Sequence, residues 1–187
     1  MKRIVIVGTV IGLILALSGF AMAAEKAPQE VIDLANTKLA DIGKDPMILK
    51  AVMAQNAKGM SLDSIKEMDE RWKNTAGIAD FMTVLLENEC SNHLRSFQAA
   101  DPFYAEIFVM DNQGANVSLT DKTSDYWQGD EAKFKNSYNG GKGAIFVDDV
   151  EFDDSTQTYI SQVSVPVMSD GKAIGAITFG IDIDKLN

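Results

Sequence analysis

One pair of residues in this chain has the types and spacing that a nucleophilic site requires. Cys90 and the only histidine, His93, are three positions apart, so both side chains would lie near one side of a helix. A thiol beside an imidazole can act as a nucleophile. The apolar stripe around Cys90 instead favours a small buried side chain, and the sequence contains no glycine-rich phosphate loop, nucleophile elbow or zinc signature. We therefore predict a protein that is not an enzyme and uses no cofactor.

A second group of chemically capable side chains lies between residues 120 and 143. Two large rings stand there among hydrogen-bonding groups: Ser124, Asp125, Tyr126, Trp127 and Asp130. Because a ligand pocket combines apolar walls with a few fixed polar groups, this segment is the candidate binding site. Two structural roles compete with that interpretation. The aromatic pair would plug the open face of a sheet, and Asp130 would cap the short helix that follows.

A third group is an acidic run close to the end of the sequence. Its members are Asp148, Asp149, Glu151, Asp153 and Asp154. Clustered carboxylates bind hard cations such as calcium, but this run lacks EF-hand spacing and the loop glycine. On a strand, Asp149, Glu151 and Asp153 would share one face, which is typical of a solvated edge that resists strand pairing. We expect no metal site here.

Residues 1–23 have the composition of an export signal. Lys2 and Arg3 precede an uncharged apolar run from Ile4 to Leu17, and Ala21-Met22-Ala23 is a small-x-small cleavage site. An uncleaved anchor is the alternative, since about 20 apolar residues can span a bilayer. The short apolar run favours cleavage after Ala23 and a periplasmic mature protein.

The charge of the chain excludes one class of partner. Its 187 residues carry a formal net charge of −10, which becomes −12 when Lys2 and Arg3 leave with the signal. Nucleic-acid binding depends on neutralising phosphates, so we expect no nucleic-acid partner. The remaining 164 residues fit one domain, large enough to hold a core without disulfides.

Two periodicities divide the mature chain. A helical period runs from Pro28 to about Ala100, with one helix through Val31–Ile42, a second after the cap Ser61, and a longer third through Ile78–Phe97. From Phe103 onward a period of two predicts five strands: Tyr104–Asp111, Ala115–Thr120, Ala144–Phe152, Thr158–Met168 and Lys172–Ile183. A short helix around Asp130–Tyr138 interrupts them. The predicted fold class is α+β, with long N-terminal helices packed on a five-stranded antiparallel sheet.

This order of elements resembles the extracytoplasmic, PAS-like sensor domains of the Cache or PDC family. Four segments carry the resemblance: Glu106–Gly114, Thr123–Phe134, Val163–Val167 and Ile174–Asp182. They divide the mature chain into a helical segment, residues 24–77, and a single sensor domain, residues 78–187. The resemblance implies helices on one face of the sheet and a small-ligand pocket on the other, under the long loop.

The amino-acid-binding subgroup of that family permits a closer comparison. Its loop carries an Arg-x-Trp-Tyr segment whose arginine holds the ligand carboxylate, and that position falls on Ser124 here. The aspartate that receives the ligand amine falls on Asp149, and a second aspartate on Asp153. The resemblance thus implies an amine-binding carboxylate without the cationic fork that captures a carboxylate. An amine, an organic acid and an amino acid all remain open as the ligand.

Members of the family usually form the sensory input of membrane receptors and kinases. The resemblance therefore implies a stand-alone module that binds a small polar ligand and either passes a signal to a separate membrane receptor or kinase or simply holds its ligand. It also implies a homodimer through the N-terminal helix. The alternative is that this helix is used entirely against its own sheet. A competing function class is a protein–protein adaptor whose pocket is filled by its own side chains.

Overall fold

Helices form the first half of the domain, and one further helix lies in a connection between two strands. The structure is a computed structural model and describes residues 25–186, so the predicted signal peptide lies outside the described residues. Its helices are α1 (Gln29–Leu34), which continues through a π-helical turn (Ala35–Leu39) into α2 (Ala40–Ile42), then α3 (Pro46–Asn56), α4 (Leu62–Lys73), α5 (Asp80–Leu86), α6 (Glu89–Ala100) and α7 (Ala132–Tyr138). Within this range, none combines the length and apolarity that crossing a bilayer requires.

One five-stranded sheet forms the second half. Its strands are β1 (Tyr104–Met110), β2 (Asn116–Leu119), β3 (Phe146–Asp153), β4 (Thr158–Ser169) and β5 (Lys172–Asp182). All neighbours are antiparallel, in the order β2-β1-β5-β4-β3. Both residues of the Asp170-Gly171 turn between β4 and β5 have positive φ, as a two-residue hairpin turn of this type requires. The structure confirms the α+β class and the five antiparallel strands.

The N-terminal helices cover one face of the sheet. Val163, Val165 and Val167 of β4 share this face and are fully buried, as their alternation predicted. The apolar stripe of the first helix, through Val31, Ala35 and Leu39, is equally buried in the same core. That stripe is thus used against its own sheet, and dimerisation through this helix stays a prediction.

A second core fills the opposite face. Phe108 and Met110 of β1 point there, because side chains alternate along a strand. Trp72 of α4, Met82 of α5 and Phe134 of α7 close over them. The long connection between β2 and β3, residues 120–145, hereafter the crossover, lies on this side and contains α7. A polar site here must therefore sit between the sheet and the crossover.

The prediction of one long third helix through Ile78–Phe97 is wrong in one respect. It is two helices, α5 and α6, which meet at Glu87 and Asn88. The Asn88 side-chain oxygen accepts from the backbone N–H of Ser91 at 2.8 Å and so caps α6. Its amide group donates to the Val117 carbonyl at 3.1 Å, which attaches this corner to β2. The apolar residues keep their helical periodicity across the break, so the sequence pattern does not indicate that the helix is interrupted.

Candidate functional site

A carboxylate of α4 fixes the centre of the crossover. One oxygen of Asp69 accepts from the backbone N–H groups of Tyr126 and Trp127, at 2.9 and 3.0 Å, and the other lies 2.7 Å from the Lys73 ammonium. Lys73 also reaches Asp125 at 3.0 Å, and these two hydrogen bonds raise the pKa of Lys73. Asp69 is only 4% exposed. The crossover is therefore anchored by a buried, charge-assisted contact, which is stronger than a neutral one.

The aromatic pair of the crossover packs against the domain. Tyr126 is 4% exposed, its ring centroid lies 6.0 Å from that of Trp72, and burial raises its pKa to about 12. The Trp127 indole N–H donates to the Gln113 carbonyl at 2.7 Å, and the Lys66 ammonium lies 4.9 Å from its ring centroid. Both rings thus already have protein partners, which agrees with the plug interpretation.

The polar residues beside this pair lie nearer the surface. Ser124 is exposed and donates to Asp125 at 2.9 Å. Asp130 is also exposed, and α7 begins after Glu131 without any side-chain cap. The prediction that Asp130 caps this helix is therefore wrong, because the chain enters α7 one residue later than the pattern placed it. The structure does not bring Asp130 to the aromatic pair by any hydrogen bond among the described residues.

Asp149 lies on β3, where the pairing with β4 is irregular. The register shifts between Val147 and Val150, so Asp149 falls in the irregular stretch. Its carboxylate lies 2.8 Å from the Lys26 ammonium, and the neighbouring Val150 N–H donates to the Glu25 carbonyl at 2.7 Å. The position that the resemblance assigned to a ligand amine thus faces an ammonium of the chain itself. In residues 25–186, no group of three or more acidic, histidine or cysteine side chains is arranged to hold a metal ion.

A buried polar group under the crossover was not among the predicted site residues. Glu106 stands in the middle of β1, on the same face as Phe108, and is 6% exposed. One of its oxygens accepts from the Gln162 side-chain amide of β4 at 3.1 Å. Burial, reinforced by the charge of Asp153, raises the Glu106 pKa to about 7, although Lys133 and Gln162 act in the opposite direction. This carboxyl therefore changes its charge near neutral pH.

A small cavity lies against Glu106. Its volume is about 40 Å³, and it is lined by Glu106, Phe108, Thr123, Ser124, Gln128, Lys133, Asp153, Ser155 and Gln162. A cavity needs at least about 10–15 Å³ to hold one water molecule, so this cavity has room for at least one water or one ammonium group. We call this the Glu106 cavity.

An open groove of about 240 Å³ adjoins the Glu106 cavity. The two share Lys133, Asp153 and Gln162 as lining residues. Acidic side chains dominate the rest of the groove: Glu131, Asp148, Asp149 and Glu151. Of the predicted site residues, Ser124 therefore reaches the cavity and Asp149 reaches the groove. Together they form a small inner space and a wider, negatively charged mouth.

Sequence reasoning missed Glu106, Gln162 and Lys133. The available signal was a single charged residue in an otherwise apolar strand, Glu106 in Tyr-Ala-Glu-Ile-Phe-Val-Met, and a glutamine among the valines of β4. Lys133 gave a weaker signal, because lysines on short helices are common. Its ammonium lies 5.6 Å from the Phe108 ring centroid, which directs it to the sheet.

The Cys90 and His93 pair is used structurally. The His93 ring nitrogen Nε2 lies 2.9 Å from Asp45, whose carboxylate also accepts from the first amides of α3. Partial burial works to raise the Asp45 pKa, but these hydrogen bonds outweigh it and lower that pKa. Burial raises the pKa of the Cys90 thiol, which reduces the reactive thiolate. His93 therefore supports the start of α3.

Comparison with known proteins gives neighbours of structure only, since no family model and no curated protein matches the chain. The sensor domain of the V. cholerae histidine kinase DctB aligns with a TM-score of 0.43 at 11% identity, over 84% of this chain and 52% of that one. The sensory domain of the Campylobacter jejuni chemoreceptor Tlp3 gives 0.44 at 14%, over 84% and 64%.

A third structure is the ligand-binding domain of the Pseudomonas aeruginosa amino acid chemoreceptor PctC, in complex with GABA. It aligns with a TM-score of 0.37 at 12% identity, over 85% of this chain and 63% of that one. This chain thus spans between half and two thirds of these three sensory domains. The Cache resemblance stays a prediction.

Proposed function

We propose that this domain is a periplasmic small-molecule-binding sensor module, which passes a signal to a separate membrane receptor or kinase or simply holds its ligand. The observation that carries the proposal is the buried Glu106 beside a cavity under the crossover. An isolated carboxylate is costly to bury unless a partner compensates its charge. A ligand that brings a positive group into the cavity would supply that compensation.

The shape and charge of the site favour an amine as the ligand. The Glu106 cavity has room for an ammonium group, with Glu106 and Asp153 as acceptors. The rest of the ligand would extend into the acidic groove, where a second cationic or hydrogen-bonding group finds Asp148, Asp149 or Glu151. Lys133 is the cation in the lining of both spaces. It is placed to take a carboxylate if the ligand is an amino acid.

The protein–protein adaptor remains the second candidate. The observation in its favour is that Asp69 and Gln113 hold the aromatic pair in place, while the volume of the Glu106 cavity is only about 40 Å³. Ligand pockets usually measure about 300–1,000 Å³, so a ligand would have to extend beyond the Glu106 cavity. An adaptor would keep this site closed and bind nothing small.

Calorimetric titration separates the two functions. Putrescine, a diamine, serves as the probe beside succinate and glutamate, at pH 8, where Glu106 is ionised. We expect saturable putrescine binding that Glu106→Gln abolishes and that Glu67→Gln, an exposed change on α4, leaves intact. Binding of succinate alone would exclude the amine assignment. Absence of binding across broad libraries of amines, amino acids and organic acids would favour the adaptor.

A further inference from the structure

An apolar groove lies on the helical side of the sheet, away from the Glu106 cavity. Its walls are one face of α3 and the corner between α5 and α6, and its floor comes from β2 and Cys90. Its volume is about 320 Å³, within the range of small-ligand pockets. The apolar lining consists of Met47, Ala51, Ala54, Val84, Leu85, Cys90 and Val117. We call it the α3 groove.

Small side chains on α3 open this groove. Ala51 and Ala54 present only methyl groups where a leucine would fill the space. On the opposite wall, Val84 is 70% exposed although it is apolar. Burial of such surface is favourable in proportion to its area, so an apolar occupant gains free energy here.

The uncharged polar side chains that line the groove already have hydrogen-bond partners within the protein. Both side-chain groups of Asn88 bond to the protein, its oxygen to the Ser91 amide and the Ser118 hydroxyl and its nitrogen to the Val117 carbonyl. The Gln55 oxygen accepts from the Lys58 ammonium at 2.8 Å. The lining therefore provides no polar partner for the body of a ligand, and the body of the occupant is apolar.

Two lysines at the mouth of the α3 groove determine the head group of the occupant. Lys58 uses one of its three donors on Gln55 and keeps two. Lys50 lies 3.8 Å from Glu89, a loose pair in which both side chains are at least 75% exposed and which contributes little. Lys50, Lys58 and Glu89 are the charged residues in the lining, so the mouth carries one net positive charge on a chain whose net charge is −10.

We propose that the α3 groove binds an amphiphile with a straight apolar tail and a carboxylate head, with the tail between α3 and Val84 and the head at Lys50 and Lys58. The site is separate from the Glu106 cavity. The two lie on opposite faces of the sheet, since Val117 belongs to the helical core and Phe108 to the other. Its ligand is therefore expected to bind whether or not an amine does.

Titration of the purified protein with carboxylates of increasing length tests the proposal. From butanoate through hexanoate to octanoate, affinity should rise about fourfold for each methylene, which corresponds to about 0.8 kcal/mol of burial. Octylamine, with the opposite head charge, should bind the Glu106→Gln variant, in which the proposed amine site is disabled, at least tenfold more weakly than octanoate does. A flat response to tail length, or equal affinity for the amine, would overturn the proposal.

Variants locate the site. Ala54→Leu narrows the groove on an exposed helix position and keeps high helix propensity, so it should fold and lose octanoate binding. Ala57→Leu, the same change at the end of α3 outside the lining, is the matched control and should bind as before. Changing Lys50 and Lys58 together to Gln should weaken octanoate at least tenfold but leave 1-octanol unchanged.

Two results would contradict this assignment. Octanoate binding that survives Ala54→Leu would place the amphiphile elsewhere on the protein. A concentration-dependent dimer in sedimentation that Ala54→Leu dissociates would show that a second copy of the chain covers the groove.

Discussion

Replacing Glu106 by Gln tests the central physical claim about the site. The folded-state pKa of Glu106 is raised from 4.5 to about 7. Between these values the folded protein holds the proton more tightly than the unfolded chain does. Stability from this group is therefore fully present below pH 4.5 and is lost as pH rises through 7. At about 1.4 kcal/mol for each pH unit, the loss is about 3 kcal/mol.

Urea unfolding followed by tryptophan fluorescence measures this effect, because Trp72 is fully buried in the core on the same face. At pH 5 the Glu106→Gln variant should match the native protein, since an amide resembles a protonated carboxyl. At pH 8 it should be more stable by up to about 3 kcal/mol.

Glu151→Gln, an exposed change on β3 of the same sheet, is the control and should keep the native pH dependence. Identical pH slopes for native protein and Glu106→Gln would refute the assignment of a buried titrating carboxyl at this position.

Three further outcomes follow from other contacts. Asp69→Ala leaves two amides of the crossover without their acceptor, so we expect a loss of about 2–4 kcal/mol and faster hydrogen exchange in residues 124–130, neither seen with Glu67→Ala. Gly175→Ala would place a methyl 2.2 Å from the Met110 carbonyl oxygen, and urea unfolding should show that the free energy of unfolding falls by about 1–3 kcal/mol. Cys90, the only cysteine, should react with iodoacetamide at least tenfold more slowly when folded, and equal rates would show an accessible thiol.

The sheet was predictable from the sequence because its signals are local. Alternating apolar residues located every strand to within two residues of its ends, and Asp170-Gly171 located the β4–β5 turn. The break between α5 and α6 was not predicted, because the apolar period continues through it. Asn88 is a residue type that commonly caps helices. Its role at this break is evident only in the folded protein, where β2 accepts its second hydrogen bond.

The site was harder to predict because its members come together only in the folded protein. Ser124 was selected from the composition of the loop and Asp149 from the family resemblance, and they line the cavity and the groove respectively. Glu106 and Gln162 are 56 positions apart and meet only because β1 and β4 both pair with β5. The sequence of a single segment contains no information on that pairing, so Glu106 could not be assigned to the site from the sequence.

The burial that raises the Glu106 pKa also determines how a ligand would be bound. A proton and a ligand ammonium both neutralise the same carboxylate, and only one of them can occupy it at a time. The stability and the binding of the Glu106→Gln variant must therefore change together. A variant that loses the pH dependence of stability but still binds putrescine would show that Glu106 titrates without serving the ligand. The amine would then lie wholly in the acidic groove. Substitutions that neutralise single carboxylates there, such as Asp149, should weaken amine binding.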